Sequence, residues 1–393
     1  MMVLFWITAA IGALWIVLFT TNLTKFLRAP EVKPGGGKPD GLPKVSIIIP
    51  ARDEEQNIER CLRSLLDQDH EDFEILVVDD KSSDQTAAIV RKLAAEDSRI
   101  RLYSAGELPG ECTGKCNALI AGVQQGNPSG EWLLFVDADT RHHPQSLSSA
   151  LRSALEKKVD MLTLIPHLEA RSFWERLMQP TVAALIALFK QPERINDPGN
   201  PEVFANGQYI LVRREAYLGC GGHQAVAGKI LEDVELARMM VGSGCRVHIA
   251  LAREMFSTRM YTSLRSLMTG WTKNFYMILE SRFSRVLLVA GLALFLSLWP
   301  AALGIASILG LAAKTYFWPE AYLWIAVGIY AMVVIFQATL RGLNRWYPLY
   351  SLLAPLANFM AVFILLRSAW LNSKGRGVRW KGRIVFDDRG DAK

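Results

Sequence analysis

Four stretches of this chain, residues 3–22, 286–313, 321–340 and 349–366, carry no charged side chain. Each is long enough to cross a hydrocarbon core about 30 Å thick as a helix, and buried helices of globular proteins are rarely so long. Between the first and second lies a polar region, residues 44–285, in which short β-branched runs alternate with amphipathic segments. The chain therefore reads as apolar helices framing a globular domain. Composition agrees: 51% of residues are hydrophobic, beside 44 basic and 38 acidic ones and a formal charge of +6. No segment reads as a nucleic-acid surface, and no nucleic-acid partner is expected.

The first stretch is preceded by no basic residue, because Lys25 is the first charge in the chain. A cleaved signal peptide would want a positive n-region, so a retained span is expected. Lys25, Arg28, Lys33, Lys38 and Lys44 follow it, and the positive-inside rule places them, and the polar region after them, in the cytoplasm. Five cysteines without disulfide-framework spacing fit a reducing compartment. Cys112 and Cys116 are one helical turn apart but lack two further metal ligands. Three later spans would put the C-terminus outside, yet Arg367, Lys374, Arg376, Arg379, Lys381 and Arg383 favour the inside. The segment containing Pro348 and Pro355 is the candidate for a re-entrant or interfacial turn. Residues 30–43, with Gly35-Gly36-Gly37 and flanking prolines, read as a linker.

Within the polar region, Val45-Ser46-Ile47-Ile48-Ile49 reads as a first strand. Ile58, Cys61, Leu62, Leu65 and Leu66 have helical spacing, predicting a helix over 53–68. A second strand over 73–78, a helix over 84–96 capped by Asp84, a third strand over 100–103 and a helix over 115–125 follow. The apolar run Trp132-Leu133-Leu134-Phe135-Val136 then ends in Asp137-Ala138-Asp139. Alternating strands and helices predict a parallel, doubly wound sheet with ligands at the carboxyl ends of the strands. Neither a Gly-x-Gly-x-x-Gly fingerprint nor a Walker lysine motif is present.

Two carboxylates one residue apart at a strand end suit a hard divalent cation, Mg²⁺ or Mn²⁺, which takes oxygen ligands and bridges to phosphates. That points to a nucleoside diphosphate. Asp79-Asp80 ends the second strand, where a carboxylate can accept hydrogen bonds from a base or ribose; Ser82 to Asp84 could equally be a helix-capping cluster. Leu231-Glu232-Asp233-Val234-Glu235-Leu236 places two acids at the apparent start of a helix. They read either as acids at the positive end of the helix dipole or as a general base, with Glu232 and Asp233 rivals for the proton.

Taken together, Ile49-Pro50-Ala51-Arg52-Asp53-Glu54, Val78-Asp79-Asp80-Lys81-Ser82-Ser83-Asp84-Gln85-Thr86, Gly114-Lys115, Asp137-Ala138-Asp139 and Glu232-Asp233 resemble, in order and spacing, family-two glycosyltransferases of GT-A fold. The resemblance covers about residues 44–276. It implies an α/β fold with a doubly wound, mostly parallel sheet, here joined to α-helical transmembrane segments. It also implies inverting sugar transfer from a nucleotide sugar, usually a UDP-sugar, with a divalent metal on the diphosphate. By that resemblance Pro50, Arg52, Glu54, Asp80 and Lys115 belong to the donor site. Asp137 and Asp139 would hold ribose and metal, and Asp233 would be the base.

Thr269-Gly270-Trp271-Thr272-Lys273 stands where processive members carry Gln/Arg-x-x-Arg-Trp, and resembles the variant of lipid-directed members. Lys273 would then meet the leaving diphosphate; the alternative is an amphipathic helix with snorkelling cations. His223, in Gly221-Gly222-His223, and Trp271 are candidate acceptor contacts, although a lone histidine is more often structural. The apolar 180–189 segment is too short to span and reads as an interfacial or core helix. The tail Trp380-Lys381-Gly382-Arg383 resembles that of hopanoid, carotenoid or ceramide glycosyltransferases.

The expected layout is a first span over 1–24, a linker over 25–43, a cytosolic catalytic domain over 44–253, amphipathic interfacial helices over 254–285, membrane helices over 286–370 and a basic tail over 371–393. The expected function is transfer of a sugar to a lipid acceptor by a multi-pass enzyme of the cell membrane. A polysaccharide synthase with the same chemistry, a non-catalytic membrane scaffold and a nucleotidyltransferase are the competing readings.

Overall fold

Strands β1 (Val45–Ala51), β2 (Phe73–Asp79), β3 (Ile100–Ser104) and β4 (Trp132–Val136) form the parallel half of a seven-stranded sheet. They belong to a computed structural model that describes residues 2–37, 41–110, 112–190, 192–197, 199–200, 202–229, 231–278, 283–313, 320–373, 378–380 and 383–385. The sheet domain also contains β5 (Thr140–His142), β6 (Met161–Ile165), β7 (His167–Leu168), β8 (Tyr209–Arg213), β9 (Val247–Leu251) and β10 (Phe256–Thr258). The large sheet runs β3-β2-β1-β4-β8-β6-β9, with β8 antiparallel to both its neighbours and the remaining pairs parallel. A smaller sheet is ordered β5-β10-β7.

Both faces of the large sheet are buried, which is why its strands read as continuous apolar runs. Ile47 and Ile49 pack with Ile58, Leu62 and Leu65 on one face. Ile48, between them, packs with Leu119, Phe135, Leu236 and Met240 on the other, the two-residue alternation of a strand. The Gly114–Gln124 helix lies so close that a Cβ at Gly122 would come 2.6 Å from Ile48 Cγ2. All five cysteines are free thiols.

The helix expected over 53–68 starts only at Ile58. Asp53 adopts a left-handed φ of 51°, and the next turn is sewn to the loop after β2. The N–H groups of Asp53, Glu54 and Glu55 donate to Ser82 Oγ, Thr86 Oγ1 and Asp84 Oδ2. The next helix starts at Thr86, not Asp84, although Asp84 Oδ1 does accept the Thr86 N–H at 2.9 Å.

The segment read as a linker is in part docked. Glu31 bridges to Leu251 on β9, Leu251 N–H donates to Pro30 O, and Val32 N–H donates to Leu251 O. Arg253 grips both Glu31 oxygens at 2.9 Å, and Arg152 reaches the carbonyls of Gly36 and Gly37. Main-chain pairing along a sheet edge outweighs the flexible composition of this stretch. Residues 256–258, expected among interfacial helices, form β10 instead, because Met255 and Phe256 belong to the core of the sheet domain.

The chain divides into two compact units, Ala29–Glu169 with Lys190–Met260, which contains both sheets above, and Met1–Arg28 with Ala170–Phe189 and Tyr261–Lys393. The second unit is helical over Met2–Arg28, Phe173–Phe189, Leu264–Ile278, Phe283–Ala312, Glu320–Leu343 and Ala354–Ser373. Among the described residues four segments, Trp6–Arg28, Phe283–Ala312, Tyr322–Leu343 and Pro348–Leu371, are long and apolar enough to cross a membrane. Pro300 lies inside a continuous helix. Pro355 occupies the first turn of the Ala354–Ser373 helix, where a missing N–H costs nothing. The segment expected to re-enter is thus a 20-residue helix after a short 3₁₀ turn.

Pro180 lies within the Phe173–Phe189 helix and leaves the carbonyl of Arg176 without its i+4 donor. Arg341, 2% exposed, fills that role: Nη1 donates to Arg176 O at 2.6 Å and Nη2 to Leu177 O at 3.2 Å. Much of the basic tail, including Lys374, Arg376 and Lys381, lies outside the described residues, as does Lys38.

Candidate active site

The carboxyl ends of the parallel strands build the site. Pro50 lies in β1 and Arg52 follows its end; Arg52 Nη1 donates to Asp80 O at 3.0 Å and sits 3.5 Å from Asp80 Oδ2. Asp80 itself follows β2 and is buried. Glu54 Oε2 accepts from Asn57 at 2.8 Å in the turn sewn to the second loop. These residues form a polar floor of fixed geometry.

β4 delivers Asp137 and Asp139, both partly exposed, on either side of buried Ala138. Thr140 Oγ1 ties off the Asp137 carbonyl at 2.7 Å. Beneath them Cys61, whose thiol burial pushes up to about 12, stays protonated and packs as an apolar group.

Lys115 enters from the first turn of the Gly114–Gln124 helix, whose start is capped by Thr113 Oγ1 accepting the Cys116 N–H. Its Nζ lies 2.9 Å from Asp137 Oδ1 and 2.9 Å from Glu232 Oε1. Burial works against the ammonium, but Asp137, Glu232 and Asp233 together hold its pKa well above the usual lysine value. The Glu232–Gly242 helix opens with the two acids expected there. Asp233 Oδ2 accepts the Gly207 N–H at 2.7 Å and Oδ1 accepts its neighbour Val234 N–H at 2.8 Å. Burial, and then the Glu232 charge, raise its pKa to about 7 against the pull of Lys115 and the two N–H groups.

His223 lines the same cleft as Pro50, Lys115, Asp137, Gly207, Glu232 and Asp233. The Tyr217 hydroxyl accepts the His223 backbone N–H and lies 2.9 Å from Nδ1. Burial lowers the histidine to about 4, so it is neutral at physiological pH.

Among the described residues no three His, Cys, Asp or Glu side chains gather as a metal cage. The donor set still fits Mg²⁺ or Mn²⁺, since Asp137 and Asp139 offer hard carboxylate oxygens at an open strand end. Such ions are commonly held by one or two carboxylates plus substrate phosphates and water.

Residues 46–219 match the family model described as Glycosyl transferase family 2. This segment is a family-2 glycosyltransferase domain. The chain is 26% identical over 348 residues to a 4,4'-diaponeurosporenoate glycosyltransferase of Staphylococcus aureus strain MRSA252, covering 86% of this chain and 87% of the relative. The protein of the same name from strain USA300 is 25% identical over 343 residues, with the same coverage. A mannosyltransferase from Pyrobaculum calidifontis, solved in complex with GDP-Man and Mn²⁺, superposes with a TM-score of 0.51 at 17% identity, covering 94% of this chain and 97% of that one. The sheet domain has the GT-A fold and the chain is a glycosyltransferase.

The glycosyltransferase brings Pro50, Arg52, Glu54, Asp80, Lys115, Asp137, Asp139, His223, Glu232 and Asp233 into one unit. Trp271 and Lys273 lie in the other, on the Leu264–Ile278 helix. Trp271 is 4% exposed, packed between Tyr261 and Phe275. Sequence reasoning overlooked Gly207 and Tyr217. The Asn206-Gly207 turn dipeptide before the strand Tyr209-Ile210-Leu211-Val212 signals a strand start, but nothing local says that its N–H holds a carboxylate.

Proposed function

We propose that this glycosyltransferase transfers a sugar, with inversion, from a UDP-sugar to a hydroxyl or carboxyl of an apolar lipid at the cytoplasmic face of the membrane. The observation carrying the reading is Asp233: a carboxylate anchored through both oxygens and raised to about 7, in the cleft that Lys115 and Asp137 also line. A carboxylate whose pKa is raised by burial and by the Glu232 charge is a stronger base than a free one, suited to take a proton from an acceptor hydroxyl.

In this reading Asp80, buttressed by Arg52, accepts hydrogen bonds from the nucleoside, within the polar floor that Pro50 and Glu54 help to form. Asp137 meets the ribose and, with Asp139, would hold Mg²⁺ or Mn²⁺. The chemistry such a cation would supply there is neutralisation of the diphosphate's negative charge. Lys115 supplies further positive charge to the diphosphate. Asp233 removes the proton of a hydroxyl acceptor as the sugar carbon is attacked from the face opposite the diphosphate, whereas a carboxylate acceptor arrives already ionised and attacks without needing a base. Glu232 keeps Asp233 basic and balances Lys115, and His223 presents a neutral imidazole at the cleft wall.

The acceptor assignment is supported by the relatives' name, which puts the sugar on 4,4'-diaponeurosporenoate, and by four helices long and apolar enough to span a bilayer. Exposed Trp6, Trp324, Leu309 and Phe359 on those helices suit lipid surroundings. Lys25, Arg28 and Lys33 after the first span favour a multi-pass protein of the cell membrane with its catalytic domain in the cytoplasm.

The test is incubation of the full chain in detergent with radiolabelled UDP-sugars, Mn²⁺ or Mg²⁺ and a lipid extract, followed by phase separation. A discrete labelled species in the organic phase is expected. Label in a large aqueous polymer would instead make the protein a polysaccharide synthase, and absence of turnover with every UDP-sugar would remove the UDP-sugar and lipid-acceptor reading.

A further inference from the structure

Lys115 stands where two functions compete for one carboxylate. Its Nζ is 2.9 Å from the Asp137 oxygen Oδ1, and it is tied equally closely to Glu232 Oε1. Asp137 is also one of only two carboxylates that β4 presents for a cation. We infer that Lys115 is a built-in counter-ion that keeps Asp137 from a divalent metal until a nucleoside diphosphate arrives, so that metal and donor occupy the site together. This rests on the donor and metal reading above.

Three observations support it. A dication approaching Asp137 in the absence of nucleotide meets an ammonium already in hydrogen-bond contact, and like charges at such range repel strongly in a partly dry cleft. Asp137 and Asp139 alone supply too few of the roughly six ligands that Mg²⁺ prefers, so little is gained by evicting the lysine. The Lys115 position is also built into the fold: a Cβ on Gly207 would lie 3.0 Å from Nζ, so the glycine leaves room for the ammonium.

A diphosphate reverses the balance on both sides. Its oxygens complete the metal's ligand set and give the ammonium a new anionic partner. The Lys115 side chain is 33% exposed and that of Asp137 27%, so both face the cleft mouth and the exchange needs no opening of the core. By thermodynamic reciprocity, nucleotide then tightens metal binding by the same factor that metal tightens nucleotide binding.

The experiment measures Mn²⁺ binding to the full chain in detergent by calorimetry and electron paramagnetic resonance, first alone and then with UDP. The wild type is expected to bind Mn²⁺ weakly alone and tightly with UDP. Lys115→Gln is expected to bind Mn²⁺ alone at least about tenfold more tightly than the wild type, and UDP then adds less. Lys115→Arg, which keeps the charge, should remain weak, and Lys115→Gln combined with Asp137→Asn should lose the gain. As a folding control with its own readout, Mn²⁺ should raise the melting temperature of Lys115→Gln more than that of the wild type. Unchanged Mn²⁺ affinity in Lys115→Gln, with wild-type binding of UDP and Mn²⁺ intact, would overturn the counter-ion role and leave the proposed function standing. If the wild type binds no UDP with either metal, the donor reading itself fails.

Discussion

The backbone N–H of Gly207 donates a 2.7 Å hydrogen bond to the carboxylate of Asp233, 26 residues further along the chain. The loop before β8 thereby orients the carboxylate proposed as the base, at the start of the Glu232–Gly242 helix. A Cβ at position 207 would lie 3.1 Å from Asp233 Oδ2 and 3.0 Å from Lys115 Nζ, so an alanine there obliges those two side chains to give by a few tenths of an ångström. Gly207→Ala is expected to lower kcat by roughly 10- to 100-fold, the cost of small displacements of a reacting group. The melting temperature should change little. Steady-state kinetics beside a thermal melt check this, and an unaltered kcat would remove Gly207 from the machinery.

Asp233→Asn retains the shape of the base and loses its basicity. Donor binding should survive while transfer falls by at least about 100-fold, the lower range of general-base contributions. Calorimetry with UDP and a turnover assay separate the two, and full transfer activity in this variant would shift the role to Glu232.

The pKa of about 7 predicts a pH profile. The base works when ionised, so kcat/KM should be low in acid, rise about tenfold per pH unit and level off above 7. Glu232→Gln removes a like charge that raises Asp233, so the rising limb should move to lower pH. A limb that stays in place would show that Glu232 does not set the basicity.

Asp139→Ala is expected to abolish the metal-dependent part of UDP binding. Titration of UDP with and without Mn²⁺ reads this directly, and equal affinity in variant and wild type would exclude Asp139 as a ligand.

Arg341 and Pro180 should be energetically coupled. Arg341→Met leaves the Arg176 carbonyl unsatisfied in a buried place, a loss of about 1–3 kcal/mol visible as a lower melting temperature in detergent. In a Pro180→Ala background, where the helix regains its own donor, the same change should cost less. Simple additivity in this double-mutant cycle would mean that Arg341 acts by packing alone.

Much of the site could be read in advance because of how parallel strands work. β1, β2 and β4 are buried on both faces, so they appear as apolar runs, and the polar residues ending them point at whatever binds there. Asp80, Asp137 and Asp139 were visible for that reason. The acids at the start of the Glu232–Gly242 helix were visible too, but a dipole-compensating pair has the same local pattern. What was missed involves residues whose meaning lies elsewhere in the chain. The helix expected from Asp53 starts five residues late because its first N–H groups are claimed by Ser82, Thr86 and Asp84.

The sequence by itself determined the apolar helices, the strand-helix alternation and the residues at the strand ends, because each depends on periodicities of a few residues. The tertiary structure alone decided that β8 runs antiparallel between β4 and β6, that Pro30, Glu31 and Val32 after the first helix dock on β9, and that Lys115 is shared by Asp137 and Glu232. Those are contacts between segments many residues apart, settled by strand register, edge pairing and the balance of buried charge. No local pattern encodes them.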